Sequence, residues 1–188
     1  MRDHVAEAIL DAAAAVFAER GEAASMADVA EAAGVGRATL YRYFPSRDVL
    51  LDALAETAIG EMRARITAAE LDSVPVAEGI ARLARGFIAA GSKYVALMPS
   101  NPAGHKVASK NSESEKRLAG PLLALFERGV AEGVLRSDLA PEVLLDLFGR
   151  LLLSAIDRVT RENAGVEQAS AQITSVFLHG ILAPEPPD

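Results

Sequence analysis

The side chains best suited to chemistry in this chain are the arginines and hydroxyl groups crowded between positions 37 and 47. This segment reads RATLYRYFPSR, and it holds three arginines, two tyrosines and a threonine but no carboxylate. Arginine donates hydrogen bonds in a fork that fits phosphate oxygens and guanine edges, while tyrosine and threonine hydroxyls donate single bonds to phosphates. These residue types at this density predict a surface that contacts nucleic acid.

The charge of the whole chain contrasts with this segment. The 188 residues include 26 Asp and Glu against 19 Lys and Arg, which gives a formal net charge of -7. A protein that binds polyanions without specificity is expected to be basic, so a contact with DNA must be a local patch. If the cluster were incidental, the segment would be a structural helical hairpin or part of a helical binding module without DNA function, and both alternatives stay open at this point.

Two short helices joined by a glycine turn are predicted to position the cluster, after a longer helix at the start of the chain. That first helix is predicted from Asp3 to Arg20, and Gly21 is placed to stop it. The second helix begins at Ser25, where Asp28 three residues later forms a capping box. It ends at Gly34, because glycine readily adopts the left-handed conformation of a helix-ending turn.

The cluster itself lies largely on the third predicted helix, Arg37 to Tyr43. Val29, Val35 and Leu40 have the spacing of residues buried between this helix and the two before it. A unit of this kind is a helix-turn-helix, whose second helix enters the major groove of DNA. Packing explains the apolar positions, whereas the concentration of arginine and tyrosine is explained by a DNA-binding surface.

The rest of the chain shows helical periodicity and no sustained alternation typical of strands. A fourth helix, capped by Ser46, is predicted to run toward Glu70, and further helix starts are indicated at Pro75 and Pro141. A helix opening at Ser112 either kinks at Pro121 or begins there. The predicted fold class is therefore all-α, with an N-terminal three-helix helix-turn-helix head and a larger C-terminal helical domain.

Three parts are predicted along the chain. Residues 1–48 form the DNA-binding head, residues 49–183 form a helical domain for ligand binding and dimerisation, and residues 184–188 form a disordered tail. The tail reads PEPPD, and its prolines cannot continue a helix. The stretch from Met98 to Lys110, with two prolines and a glycine, is predicted to be a loop with a short helix.

Several classes of function are disfavoured by what the sequence lacks. It contains no cysteine, which removes disulfides and thiolate sites, and His4, His105 and His179 are too far apart to form a local metal motif. No phosphate loop, metalloprotease motif or nucleophile elbow is found, so neither enzymatic activity nor a cofactor is expected. No apolar run approaches the ~18 residues that a membrane span needs, so a cytoplasmic protein is expected.

The residues from Ile9 to Leu54 resemble the DNA-binding head of the tetracycline-repressor (TetR) family of bacterial regulators. The resemblance rests on Phe17, on Gly21, on the ADVAEAAGV turn, and on TLYRYF followed by the Pro-Ser-Arg step. It covers about the first quarter of the chain and is far more restrictive than a generic helix-turn-helix. The remainder of the chain resembles the family only in length and all-helical layout.

The resemblance implies a DNA contact for each of several residues. Arg37 and Thr39 would face base edges or flanking phosphates, and Tyr41 and Tyr43 would donate hydroxyls to phosphates, with Tyr43 also touching thymine methyls. The remaining implied contacts are Arg42 beside them, and Ser25 and Arg47 near phosphates at the starts of the second and fourth helices. In a departure from the family, Gly36 stands where a serine or threonine usually caps the third helix, so one phosphate hydroxyl is missing.

The family layout further implies a ligand pocket and a self-association surface in the helical body. Residues that could line the pocket, each also suited to plain core, are Phe87, Tyr94, Met98, Asn101, His105, Leu122, Phe126, Phe148 and Leu152. The helix from Glu142 to Glu162 is apolar on more than one face, which indicates a homodimer interface or, alternatively, a wholly buried central helix. The expected interface residues are Leu144, Phe148, Leu151, Ala155, Val159, Ile173 and Phe177.

The family mechanism implies a function for these parts together. Two recognition helices of a homodimer would enter successive major grooves of a near-palindromic operator in double-stranded DNA. An unknown small-molecule effector, hydrophobic or aromatic, would bind the body, shift the fourth helix and lower operator affinity. The expected protein is thus a repressor that the effector releases, although the same parts could serve an activator.

Overall fold

The computed structural model describes residues 4–97 and 112–179, and these residues are helical throughout with no strand, as predicted. We number the α-helices α1 to α8. Their bounds, with the two 3₁₀ turns, are α1 His4–Arg20, a 3₁₀ turn Gly21–Ala23, α2 Met26–Ala32, α3 Arg37–Tyr43, α4 Arg47–Ala68, α5 Val76–Lys93, a 3₁₀ turn Val95–Leu97, α6 Ser112–Ala131, α7 Pro141–Arg161 and α8 Val166–His179. The helix α6 continues through Pro121 instead of beginning there.

The chain divides into two compact units, which we describe separately. The first comprises Met1–Glu61 with Ala90–Lys116, and the second comprises Met62–Ala89 with Arg117–Asp188. The helix α4 therefore contributes residues to both units. The functional boundary expected after residue 48 is a different division and stays a prediction.

The first unit holds the helix-turn-helix on one apolar core. Ile9, Ala13 and Phe17 lie on one face of α1 at helical spacing and are almost completely buried. They share the core with Val29 of α2 and Leu40 of α3, both 0% exposed, as the sequence pattern predicted. Because these contacts join three helices, they fix the relative orientation of α1, α2 and α3.

The turns between these helices follow the predicted local chemistry. Gly21 and Gly34 adopt the left-handed conformation, with φ angles of +56° and +65°, and stop α1 and α2. The Ser25 hydroxyl and the Asp28 carboxylate form the predicted capping box. The backbone amide of Val49 donates to the Ser46 hydroxyl at 3.2 Å, which confirms Ser46 as the cap of α4.

A polar cluster ties α1, α4 and the end of α5 together within the first unit. The Tyr94 hydroxyl donates to the Glu61 carboxylate at 2.6 Å, and Lys93 pairs with the same oxygen at 2.9 Å and with Asp11 at 3.1 Å. Tyr94 is 3% exposed and belongs to the core of the head. The expectation that Tyr94 lines a pocket of the body is therefore wrong, because its ring packs in the first unit and its hydroxyl is taken by Glu61.

Replacing Tyr94 by phenylalanine is expected to reduce the loss of stability at alkaline pH. Burial, and then the hydrogen bond to Glu61, raise the pKa of the Tyr94 phenol above its ordinary value of 10.0. The folded state holds this proton more tightly than the unfolded state, so the contribution is complete below about pH 10 and is lost as the pH rises through the folded pKa. Urea unfolding across that range should show a steeper loss for the wild type than for Tyr94→Phe, and equal slopes would contradict the assignment.

The second unit has an aromatic centre where α6, α7 and α8 meet. The ring centroids of Phe126, Phe148 and Phe177 lie 5.0 to 5.9 Å apart in tilted or edge-on arrangements, which are the favourable geometries for aromatic pairs. Phe126 and Phe148 are 0% and 2% exposed. Arg128 of α6 secures the same unit, since its guanidinium donates to the carbonyl of Leu71 at 2.8 Å.

None of the helices in the described ranges is long and apolar enough to cross a membrane. The same ranges contain no group of His, Asp or Glu side chains arranged to hold a metal ion.

Candidate nucleic-acid interface

The helix α3 presents exposed polar side chains and is anchored to the head core by apolar ones. Arg37, Tyr41 and Arg42 are exposed, and 48% of Tyr41 is accessible to solvent. Leu40 and Phe44 are 0% and 7% exposed and hold the helix against the head core. Three of the sequence-predicted contact residues on this helix are therefore exposed, while Leu40 within the helix and Phe44 just after it are buried.

Two other predicted contacts, Thr39 and Tyr43, are half-buried. The Tyr43 ring packs against the head core. The Arg42 guanidinium lies 5.3 Å from the centroid of that ring, within the range of a cation–π contact. Tyr43 therefore supports the guanidinium of Arg42, a role that spacing in the sequence does not show.

At the start of α2, Ser25 is exposed but its polar groups are already engaged. Its hydroxyl donates to the Asp28 carboxylate at 2.6 Å and accepts from the Asp28 amide at 3.2 Å. The Arg20 guanidinium pairs with the same carboxylate at 2.6 Å. The Ser25 hydroxyl, and then the Ser25 amide, hold the pKa of Asp28 below its usual range, so this carboxylate is charged at neutral pH. A phosphate approaching Ser25 would therefore meet a negative charge that Arg20 partly offsets.

The structure places Arg47 differently from the expectation of a phosphate contact. Its guanidinium donates to the carbonyl oxygen of Ala24 and, at 3.4 Å, to that of Gly21. The guanidinium also lies over the Phe17 ring, 4.8 Å from the ring centroid. Arg47 thus joins the start of α4 to the turn between α1 and α2.

The helix α3 begins without a side-chain cap. Gly36 is the N-cap residue, with an extended backbone and no side-chain hydrogen bond to the helix. This agrees with the departure noted in the sequence, where a hydroxyl-bearing residue was expected.

The residues expected to line a ligand pocket are brought together only in part. Phe126, Phe148 and Leu152 are buried together in the second unit, while Phe87 and Leu122 are half-buried there. The rings of Phe126 and Phe148 contact each other, with their centroids 5.7 Å apart. Three further expected pocket residues, Met98, Asn101 and His105, lie outside the described residues.

The expected self-association residues need a correction on α7. Leu144, Phe148 and Ala155 are at most 5% exposed in the single chain, because this side of α7 faces the core of the second unit. They cannot form a surface for another copy without opening that core. The other expected interface residues are half-buried: Leu151, Val159, Ile173 and Phe177.

Two exposed apolar side chains of α7 lie one position before the buried residues Leu144 and Phe148. Val143 is 45% and Leu147 44% exposed, and Val176 of α8 is 38% exposed. A groove of about 600 Å³ borders Leu147 and Val176. Its lining includes Val134, Leu135, Arg136, Leu139, Leu144, Arg150, Leu151 and His179.

Known proteins resemble both the head and the whole chain. A family model described as "Bacterial regulatory proteins, tetR family" matches residues 9–54, the part that contains α2 and α3. The chain is 27% identical over 178 residues, 95% of each protein, to the HTH-type transcriptional regulator NfxB of Pseudomonas aeruginosa. It is 28% identical over 186 residues, 94% of this chain and 90% of the other, to the HTH-type transcriptional repressor KstR2 of Rhodococcus jostii.

A solved structure extends the likeness to three dimensions. The TetR-like transcriptional regulator LfrR from Mycobacterium smegmatis, in complex with proflavine, matches with a TM-score of 0.73 and 26% identity over 97% of this chain and 99% of that one. The family model falls on the same helices that expose arginine and tyrosine, and the relatives that match along the whole chain are named transcriptional regulators. The chain belongs to the TetR family of bacterial transcriptional regulators, whose helix-turn-helix binds DNA.

Proposed function

We propose that this protein is a repressor that binds a near-palindromic operator as a homodimer in the bacterial cytoplasm and is released by a small molecule. The observation that carries the proposal is the exposed face of α3, which offers Arg37, Tyr41 and Arg42 without a carboxylate on the helix. Such a face complements the negative potential of the major groove and its phosphate walls. Repression is favoured over activation because KstR2, a relative along most of the chain, is named a repressor.

The proposed contact residues divide by chemistry into those that position the protein on DNA and those that select its sequence. Tyr41 and Tyr43 are proposed to donate hydroxyls to phosphates, which adds affinity without sequence information. Arg37 and Arg42 have the fork that reads guanine or clamps a phosphate, and Thr39 can contact a base edge. The Ser25 hydroxyl already donates to the Asp28 carboxylate. Ser25 is therefore proposed to contact a phosphate at the start of α2 only through a hydrogen bond that its hydroxyl shares between the phosphate and Asp28.

Self-association is proposed to use the exposed apolar side of α7 and α8. One side of α7 carries Val143, Leu147 and the half-buried Leu151, and α8 adds Val176 to the exposed apolar surface. Large apolar side chains that cluster on a surface mark an interaction site more often than isolated ones do. The proposed function requires that the dimer present two α3 helices to successive major grooves, about 34 Å apart.

The effector is proposed to be an apolar or aromatic small molecule that enters the second unit. The aromatic centre around Phe126 and Phe148 provides ring surface on which such a molecule could pack. LfrR, whose solved structure is of a complex with proflavine, gives one precedent for binding of a small molecule. To act as a switch, the effector would have to bind the form of the protein that does not bind DNA more favourably than the DNA-binding form, by about 1–3 kcal/mol.

Binding to duplex DNA should weaken steeply as salt increases. Each phosphate contact adds about 0.9 to the slope of log affinity against log salt, so a dimer with six or more contacts should lose about 10³-fold in affinity between 50 and 200 mM salt. The probe is the duplex that the wild type enriches from a randomised pool, and gel shift measures its dissociation constant. Failure of the wild type to enrich any duplex would overturn the proposed function.

Two substitutions in α3 should then separate affinity from sequence preference. Tyr41→Phe should weaken binding to all duplexes by a similar factor, because it removes a phosphate donor, whereas Thr39→Ala should mainly change which duplexes are preferred. Arg63→Ala is the matched control, since Arg63 is exposed on α4 but belongs to the second unit. If Tyr41→Phe and Thr39→Ala both bind like the control, the contact surface is assigned to the wrong residues.

A further inference from the structure

We propose that Arg47 is a positioning residue that holds the recognition helix α3 in place through its contacts to the α1–α2 turn, and that it is not a phosphate ligand. The inference rests on the proposed function, because the quantity that Arg47 controls is DNA affinity. It differs from the family-based expectation for this position, which assigns the side chain to the DNA backbone.

The side chain of Arg47 points back toward the turn between α1 and α2. Arg47 is the first residue of α4, and side chains at a helix start lean back toward its N-terminal end. That direction leads here to the carbonyl oxygens of Ala24 and Gly21, 23 and 26 residues earlier in the chain. The charge that would otherwise reach a phosphate is directed into the protein.

The α1–α2 turn offers a site suited to a guanidinium. The turn follows the end of α1, where backbone carbonyls lack helical partners and carry partial negative charge. Ala24 is 2% exposed, and buried carbonyls of such a residue are costly without a donor. The planar guanidinium of arginine can donate to two carbonyls while its face lies over the Phe17 ring. A lysine ammonium is a point charge, so it is less suited both to donating to two carbonyls and to stacking on the ring.

The contact between Arg47 and the α1–α2 turn also restrains α3. This helix has only seven residues, and Leu40 is its one buried residue. Such a short helix is marginal by itself, so its orientation depends on its two flanks as well as on Leu40. The Gly34 turn fixes its beginning, and three residues, 44–46, join its end to Arg47. A contact that pins Arg47 to the α1–α2 turn therefore limits how far the end of α3 can move.

The test compares Arg47→Ala and Arg47→Lys with Arg37→Ala, using the duplex that the wild type enriches from a randomised pool. All proteins are measured well below their melting temperatures, so the folded fraction does not affect the dissociation constant. Both Arg47 variants should raise the dissociation constant about tenfold, the factor expected for loss of one charge-assisted hydrogen bond, with an unchanged salt slope. If Arg37 contacts a phosphate, Arg37→Ala should lower the salt slope by about 0.9 per copy.

Two results would overturn the proposal. If Arg47→Lys binds as the wild type does and Arg47→Ala has a reduced salt slope, the side chain contacts a phosphate. If the melting temperature falls while the dissociation constant stays unchanged, Arg47 stabilises the fold without positioning α3.

Hydrogen exchange in the protein without DNA separates this proposal from the proposed function. The amides of Ala24 and Val29 donate to the carbonyls of Gly21 and Ser25, both in the segment between α1 and α2, so both amides should exchange faster in Arg47→Ala than in the Arg63→Ala control. Unchanged exchange would overturn the proposed contact between Arg47 and the α1–α2 turn, even if DNA binding is found. If exchange is faster in Arg47→Ala but the wild type enriches no duplex, the contact is supported and the DNA function is rejected.

Discussion

Replacing Leu147 by glutamate is expected to leave the protein monomeric and to weaken operator binding by about 10²-fold or more, the usual gain from linking two binding sites. Leu147 lies on α7 next to Val143, and nearly half of each side chain is exposed in the single chain. A carboxylate introduced into an apolar interface would lose its hydration without gaining a partner. Sedimentation equilibrium measures the oligomeric state, and gel shift on the enriched duplex measures the affinity.

Leu153→Glu provides the matched control on the same helix. Leu153 is 45% exposed, as Leu147 is 44% exposed, but six residues along an α-helix place it about 120° away around the axis. The control variant should stay dimeric and bind DNA as the wild type does. If Leu147→Glu remains dimeric, the self-association face lies elsewhere; if both variants dissociate, the interface is broader than the proposed side of α7.

Local chemistry accounts for the parts of the fold that the sequence predicted well. The bounds of α3 and the ends of α1 and α2 depend on residues within a few positions, such as the glycines with positive φ and the Ser25–Asp28 capping box. Residues 37 and 43 bound α3 in the structure as they did in the prediction. These features need no knowledge of the tertiary structure, because the backbone conformation and hydrogen bonds that define them are formed locally.

The partners of Arg47 could not be predicted in the same way. Its acceptors are backbone carbonyls, which have no sequence signature, and they come near only when α1, α2 and α4 pack together. The resemblance to the family supplied a role for the position but not the geometry of this chain. Ser25 shows the same limit, since its capping role was predictable whereas the charge that Asp28 and Arg20 place beside it depends on packing.

The assignment of faces on α7 shows a different limit. Leu144 and Phe148 are apolar at helical spacing, and so are Val143 and Leu147 one position earlier. Periodicity identifies both stripes but does not say which one faces the core of the same chain. That choice is made by the rings of Phe126 and Phe177, which come from other helices and pack against Phe148.

Leu40→Ala should cost about 2–5 kcal/mol in the free energy of unfolding of the head and should abolish measurable operator binding. Leu40 is 0% exposed and is the buried residue of α3, so its loss leaves a cavity between α3 and the rest of the head. Urea unfolding gives the stability, and hydrogen exchange of the amides of α3 shows whether this helix opens before the remainder of the unit.

Two companion variants decide whether the effect comes from packing at Leu40. Leu40→Met nearly conserves volume and should cost less than about 1.5 kcal/mol, with most of the DNA affinity kept. Val49→Ala removes an apolar side chain that is 44% exposed at the start of α4, and it should change little. The affinity should therefore follow the packing of Leu40, because Arg37, Tyr41 and Arg42 are unchanged and only the support beneath them differs. If Leu40→Ala lost stability but kept its affinity, α3 would be held by its flanks alone, and the contact surface would not depend on its anchor in the core.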